Sequence, residues 1–238
     1  MAKIKQKWVL ITACILAGML FVAALFVVLY KDNSALKTQK LTDIEWYSET
    51  QKEFTITTAQ EFYDLIVLSQ HYNFKGQTVK LGADIVLNEG NAVDWKETAP
   101  KNKWTPIKQF AGTSDGQGHS ISGVYLKKNS VIAGLFGTIE EGALIQDFKL
   151  VNSYIETNGR LGTGSVAGLS RDATLRRIYC DTILHLHGRY NGGLIGRIGG
   201  KTKVEECWFD GEMTARNYYS AGMVAQVGKG TLTMSNCL

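Results

Sequence analysis

Proline is almost missing from this chain, at two residues in 238. No charge dominates either: 26 lysines and arginines against 22 aspartates and glutamates leave a net +4. Hydrophobic residues make up 45% of the sequence, enough to bury a core, so the composition is not that of a disordered chain. The small positive excess partly flanks an N-terminal apolar run and gives no ground for nucleic-acid binding. A phosphate-binding glycine loop, a nucleophile elbow and a metal-hydrolase motif are all lacking. Helical apolar spacing is confined to one short stretch of the body, which excludes a helical solenoid. The length suits one sizeable domain with a real core.

One long hydrophobic run is present. "WVLITACILAGMLFVAALFVVLY", Trp8 to Tyr30, carries no charge over 23 residues, where a bilayer-spanning helix needs about 20. A cleavable signal peptide has a shorter core and a small-residue cut site, and "LYKDNSALK" after the run is a poor one. The run therefore reads as an uncleaved signal anchor over 8–30, behind a short tail at 1–7, with a cleaved signal as the alternative. "ITAC" around Cys14 resembles a lipoprotein box, but the apolar run continues far past it, so Cys14 reads as membrane-buried. Lys3, Lys5 and Lys7 before the span are balanced by Lys31, Lys37 and Lys40 after it, so charge alone does not orient it. The body is expected outside a single-pass cell membrane, with a cytoplasmic body as the alternative. Residues 31–52 are polar and of mixed charge, and are expected to form a linker or stalk before a body at 53–238.

What is abundant is glycine, at 25 residues, and it recurs in order. Gly134-Leu-Phe-Gly137 is echoed by Ser165-Val-Ala-Gly168, Gly193-Leu-Ile-Gly196 and Gly222-Met-Val-Ala225, at steps of 31, 28 and 29 residues. Behind each tetrad comes a second block: "IQDFKL" from Ile145, "LRRIYC" from Leu175, "VEECWF" from Val204 and "MSNC" from Met234. Self-similarity at this period marks a stacked-repeat architecture. The units are short β-type runs separated by glycine turns. They are too short for a propeller blade, and the leucine-rich pattern is missing. A parallel β-helix fits, each coil about 4.8 Å above the last. Gly112, Gly116, Gly118 and Gly123 are expected at corners, and Gly134 and Gly137 around an inward Leu-Phe step. Ile145/Phe148, Leu175/Ile178, Val204/Cys207 and Met234/Cys237 should stack inside. Asp147, Arg177 and Glu206 should stack as a column of alternating charge, which aids register. Thr58-x-x-Glu61 reads as a capping box ahead of Phe62, Leu65, Ile66 and Ser69, a short amphipathic helix expected to plug the first coil. Asn88 to Lys103 reads as a loop insertion, either a binding feature or a floppy excursion. The sequence stops inside the fourth repeat; a truncated or short-form chain is expected, with stacking of another chain on an open last coil as the alternative.

"WTPIKQFAGTSDGQGHSISGVYL", Trp104 to Leu126, followed by "GLFG", resembles bacterial surface proteins with the GLUG motif. Trp104, Pro106, Ile107, Phe110, Gly112, Asp115, Gly116, Gly118, His119, Ile121, Ser122 and Gly123 carry the likeness. Phe54 to Leu65 and Val79 to Leu87 resemble the segment that precedes the motif. Ser114, where an aromatic is commoner, and the altered tetrads at 165–168 and 222–225 depart from it. The resemblance implies an all-β, right-handed parallel β-helix on the cell surface, and no single activity.

Candidate chemistry is sparse. His185-x-His187 could offer two imidazoles to a metal, but no third ligand is suggested, so no metal site and no cofactor is assigned. His119, Asp115 and Asp84 read as turn residues. Cys180, Cys207 and Cys237 are expected as free interior thiols, because in-register stacking would strain a Cys207–Cys237 bond. Tyr179, Tyr190, Trp208, Tyr218 and Tyr219 either line a sugar-binding face or form structural stacks. The expected function is a membrane-anchored spacer, adhesin or binding module for an extracellular glycan or protein, with no catalysis and no catalytic residue assigned. A carbohydrate-active enzyme is the alternative, and Asp147–Arg177–Glu206 is the one cluster that could serve it.

Overall fold

The ladder pairings follow the repeat. The computed structural model describes residues 36, 38–216 and 219–238, so the tail at 1–7, the apolar run at 8–30, Cys14, Lys31 and Tyr218 lie outside the described residues. Among the described residues no helix is long and apolar enough to cross a membrane. The chain from Leu36 winds as a parallel β-solenoid of about six coils with one short α-helix.

Three sheets form its sides, and every strand pairing in them is parallel. The long sheet climbs through Glu53–Ile56, Thr78–Leu81, Thr113–Asp115, Leu144–Thr157, Ala173–Leu186, Lys201–Glu205 and Thr231–Ser235. The second sheet stacks Ile107–Phe110, Phe136–Ile139, Ala167–Ser170, Ile195–Ile198 and Val224–Val227. The small third sheet holds Ile132–Ala133, Gly162–Thr163, Tyr190–Gly192 and Tyr219–Ala221.

The tetrads coincide coil for coil. Phe136, Ala167, Ile195 and Val224 pair in one file. Beside it, Leu135, Val166, Leu194 and Met223 are joined through Phe136 N–H to the Val166 carbonyl, Val166 N–H to Leu194 and Leu194 N–H to Met223. The file starts one coil earlier than the glycine pattern shows, at Ile107, which pairs with Phe136. The second blocks also coincide: Ile145, Leu175, Val204 and Met234 form one inward file. The first three are wholly buried, while Met234 on the last coil is 40% exposed.

The spacing within the second block is explained by backbone. An extended strand sends i and i+3 to opposite faces, yet Ile145 and Phe148, and Leu175 and Ile178, are all buried. The residue before each second apolar member turns the chain: Asp147, Arg177, Glu206 and Asn236 have φ of 61°, 50°, 53° and 53°. This left-handed corner costs a non-glycine residue of order 1 kcal/mol, and it swings both apolar residues inward. Among the expected glycine corners, Gly118 (φ 85°) and Gly123 (φ 78°) use positive φ. At Gly112 and Gly116 the need is space, since a Cβ would press on Phe74 and Phe148 of neighbouring segments.

The helix Ala59–Leu68 carries the capping box in full: Thr58 Oγ1 accepts from Glu61 N–H at 3.2 Å and the Glu61 carboxylate accepts from Thr58 N–H at 3.0 Å. Its Phe62 stacks on Trp104 with centroids 5.5 Å apart, and Trp104 Nε1 donates to the Leu135 carbonyl. The helix thereby covers the start of the inner files.

Two expectations are corrected. The stretch 38–52, taken with 31–37 as a linker, packs on the body. Ile44 is buried, Trp46 Nε1 donates to Asp64 Oδ2, and Tyr47 stacks on Phe54 at 5.1 Å. These aromatics are spaced irregularly in sequence, so no periodicity exposes them. The insertion 88–103 is not floppy. Asn88 Nδ2 donates to the Asn102 carbonyl and Asn102 N–H to Asn88 Oδ1, both at 2.8 Å, which ties the base of the loop shut. Its 3-10 helix Ala92–Lys96 buries Trp95 against Tyr125.

Leu175 sits fully buried between Ile145 and Val204. Leu175→Ala should lower the unfolding free energy by about 2–5 kcal/mol, read from the midpoint of urea denaturation.

Candidate functional site

The left-handed corners build a concave wall. Asp147, Arg177, Glu206 and Asn236 rise along one side of a groove of about 490 Å³, and Lys149, Tyr179 and Trp208 line its other side. That second side is a register file: Lys149 pairs with Tyr179, and Tyr179 with Trp208. The corner residue is the reason both walls exist, because it bends each strand about the inward Phe148 and Ile178. Trp208 follows the buried Cys207 and, as alternation predicts, points out, 51% exposed.

The charge column forms on its lower rung. Arg177 grips Asp147 with two bonds, Nε to Oδ1 at 2.5 Å and Nη2 to Oδ2 at 2.7 Å. Among the described residues no ion pair joins Arg177 to Glu206, so the expected three-member ladder is one ion pair, with Glu206 acting on Arg177 through its charge alone. The bond to Asp147 holds the Arg177 guanidinium above its ordinary value. Tyr179 Oη donates to Asp210 at 3.0 Å, and that bond raises the phenol above its usual range. With Asp147 committed to Arg177, the groove offers an exposed indole and a half-buried phenol as a platform, with Lys149, Glu206 and Asn236 as polar edges. That equipment suits a ring with one apolar face and hydroxyl edges.

The aromatic face expected from the sequence divides in two. Tyr179 and Trp208 stand in the corner groove. Tyr190 and Tyr219 stack at 5.3 Å in the small sheet, with the Arg189 and Arg197 guanidinium carbons 5.5 and 5.3 Å from the Tyr190 centroid.

A third constellation lies under the insertion. Tyr125 stacks on Tyr154 at 5.8 Å, Tyr154 leans on His185 at 5.4 Å, and Trp95 meets Tyr125 edge-on. Buried Tyr154 donates to Glu156 Oε2 at 2.6 Å, and Lys127 Nζ lies 3.1 Å from the same carboxylate. Burial, then the bond to Glu156, pushes the Tyr154 phenol far up. Burial also pushes the Glu156 carboxyl up, but the bonds from Tyr154 and Lys127 and the charges of Lys127 and His185 outweigh it, leaving it below its ordinary value. The sequence reading missed this cluster. Extending the repeat one coil downward aligns Tyr125 with Tyr154, 29 residues on, and would have found it.

The remaining candidates hold turns or packing. Asp84 Oδ1 accepts from Ser120 N–H at 2.7 Å with His119 Nδ1 3.4 Å away, and Asp115 accepts from Gln117 N–H. Among the described residues no group of three His, Cys, Asp or Glu side chains is disposed to hold a metal ion. Cys180, Cys207 and Cys237 are free thiols. Burial pushes the Cys207 thiol up to about 12 and raises Cys180 well above its ordinary value, which withholds the reactive thiolate.

No family model, no curated protein and no solved structure matches the chain.

A depressed folded-state carboxyl stabilises the fold above its unfolded pKa and loses that contribution as pH falls through the folded value. Glu156 should therefore contribute acid lability below its ordinary pKa of 4.5. Thermal melts of the native protein and Glu156→Gln, compared from neutral pH downward, should show the smaller acid loss in the variant.

Proposed function

We propose that this protein is a membrane-anchored cell-surface β-helix of the GLUG type, right-handed, which binds an extracellular glycan without turning it over. The anchor is the apolar run 8–30, and the rigid stack serves as spacer and display scaffold. The observation that carries the binding role is the corner groove, where Trp208 stands half exposed beside Tyr179 in a cleft edged by Lys149, Glu206 and Asn236. An aromatic platform with a few polar groups in a cleft of this size is the usual makeup of a ligand groove. The composition of the groove, aromatic platform with few charges left unpaired, favours an uncharged sugar segment.

The alternative, a carbohydrate-active enzyme, draws on the same carboxylates. Hydrolysis needs two carboxylates flanking the scissile bond in opposite protonation states. Asp147 is engaged by two bonds from Arg177, which leaves Glu206 without a free partner carboxylate on this wall.

Trp208→Ala should abolish retention on the glycans that the native protein binds in an array of neutral oligosaccharides, a loss of at least about tenfold for one stacked aromatic. Unchanged retention would remove the groove from the account. Turnover of any bound polysaccharide, lost in Glu206→Gln, would replace the binding role with the enzymatic one.

A further inference from the structure

The carboxylates of the upper four coils are segregated. Residues 128–139, 158–171, 187–204 and 216–238 contain no aspartate or glutamate. These segments leave the long sheet, round the corner and build the small and second sheets, and in the last two coils they run on into the next strand of the long sheet. The corner itself is basic: Lys128, Arg160, His187, Arg189 and Arg216 are all exposed there. Lys128 N–H bonds the Glu156 carbonyl, Arg189 N–H that of Gly159 and Arg216 N–H that of Leu186, so the four corners lie directly over one another. Coils rise by about 4.8 Å, and those bonds set Arg189 opposite Arg160 and Arg216 opposite His187, with Lys128 opposite Thr157, so the basic residues form two short neighbouring files along this edge.

Four ion pairs join charges on neighbouring coils elsewhere in the stack. Lys80 meets Glu53, Lys127 meets Glu156, Arg171 meets Glu140 and Arg177 meets Asp147. Among the described residues no carboxylate meets Lys128, Arg160, Arg189, Arg197 or Arg216. Like charges on adjacent strands oppose stacking, so an unrelieved column is a cost to the fold. Two arginines are also fixed in place. Arg189 and Arg197 lie over the Tyr190 ring, and Arg189 lies 6.0 Å from the Tyr219 centroid. The Arg197 Nε is buried with no hydrogen-bond partner.

We propose that this basic corner is a second binding surface, separate from the groove, for a linear acidic polysaccharide lying along the solenoid axis with a carboxylate on each sugar. Arginine forks match carboxylates in a planar two-bond geometry that lysine cannot give. Cations spread over several coils along one edge suit an extended polymer with repeated anions better than a compact ion. It also fits a narrow chain better than a flat lipid surface. Single-stranded nucleic acid is disfavoured because it needs open aromatic faces for base stacking, whereas Tyr190 is 9% exposed and lies under two guanidinium groups.

The test uses the full chain in detergent micelles on immobilised alginate, with neutral dextran, phosphatidylserine vesicles and oligothymidylate as comparators. Alginate should be bound at low salt and released as salt rises, because exposed charges are screened. Arg160→Glu/Arg189→Glu should bind at least about tenfold more weakly, with the native melting temperature retained, while Trp208→Ala binds alginate as the native chain does. Arg189 also packs on tyrosine, so Arg160→Gln/Arg216→Gln, at two exposed side chains, gives an independent reading and should weaken binding in the same direction. Native affinity in both folded double variants, equal retention on dextran, or preference for vesicles or oligothymidylate would each overturn the proposal.

Discussion

Parallel backbone pairing from coil to coil governs everything else in this molecule. A strand inside the stack is bonded to the coil below and the coil above, so it cannot change its path without stranding buried N–H and C=O groups. Position is therefore inherited upward. Ile107 places Phe136, Phe136 places Ala167, and so on to Val224. The left-handed residue recurs for the same reason. Once Asp147 bends the strand, Arg177, Glu206 and Asn236 must bend theirs, although none is a glycine.

Inheritance of position turns surface chemistry into columns. A side chain that faces outward on one coil faces the same way on the next, within about 5 Å. Opposite charges then relieve one another, as Asp147 does for Arg177, and aromatic rings stack, as Tyr125, Tyr154 and His185 do. Aromatic and charged columns side by side become a groove wherever the path is concave, and Trp208 stands in such a place. Cations without a carboxylate partner, like those of the basic corner, stand apart from these relieved pairs. The net charge of the whole chain conceals them, because the carboxylates that balance those cations belong to other sides of the solenoid.

The N-terminal layer obeys a different rule. Among the described residues the first coil has no coil beneath it, so its apolar files need another cover. The helix Ala59–Leu68 and the aromatic residues Trp46 and Tyr47 supply it by side-chain packing, without ladder pairing. Packing of that kind leaves no period, and for that reason 38–52 resembled a linker. The insertion at 88–103 follows the same rule, and of its two readings the floppy excursion is set aside. Its order comes from Asn88, Asn102 and Trp95, each bonded or packed to a residue distant in sequence.

The sequence by itself determined the parallel solenoid, the coil length near 29 residues, the two inward files, the capping box and the outward aim of Trp208. Each of these is written in local spacing, and backbone pairing propagates local spacing without change. Only the tertiary structure decided that Asp147, Arg177 and Glu206 sit on left-handed corners, that Lys149, Tyr179 and Trp208 face them across a groove, that Tyr154 and Glu156 lie beneath a folded-back loop, and that basic residues from four coils share one edge. Those relations depend on the angle at each corner and on which sides of the coil end up adjacent. Both are set by packing between segments far apart in sequence, where a one-dimensional period carries no information.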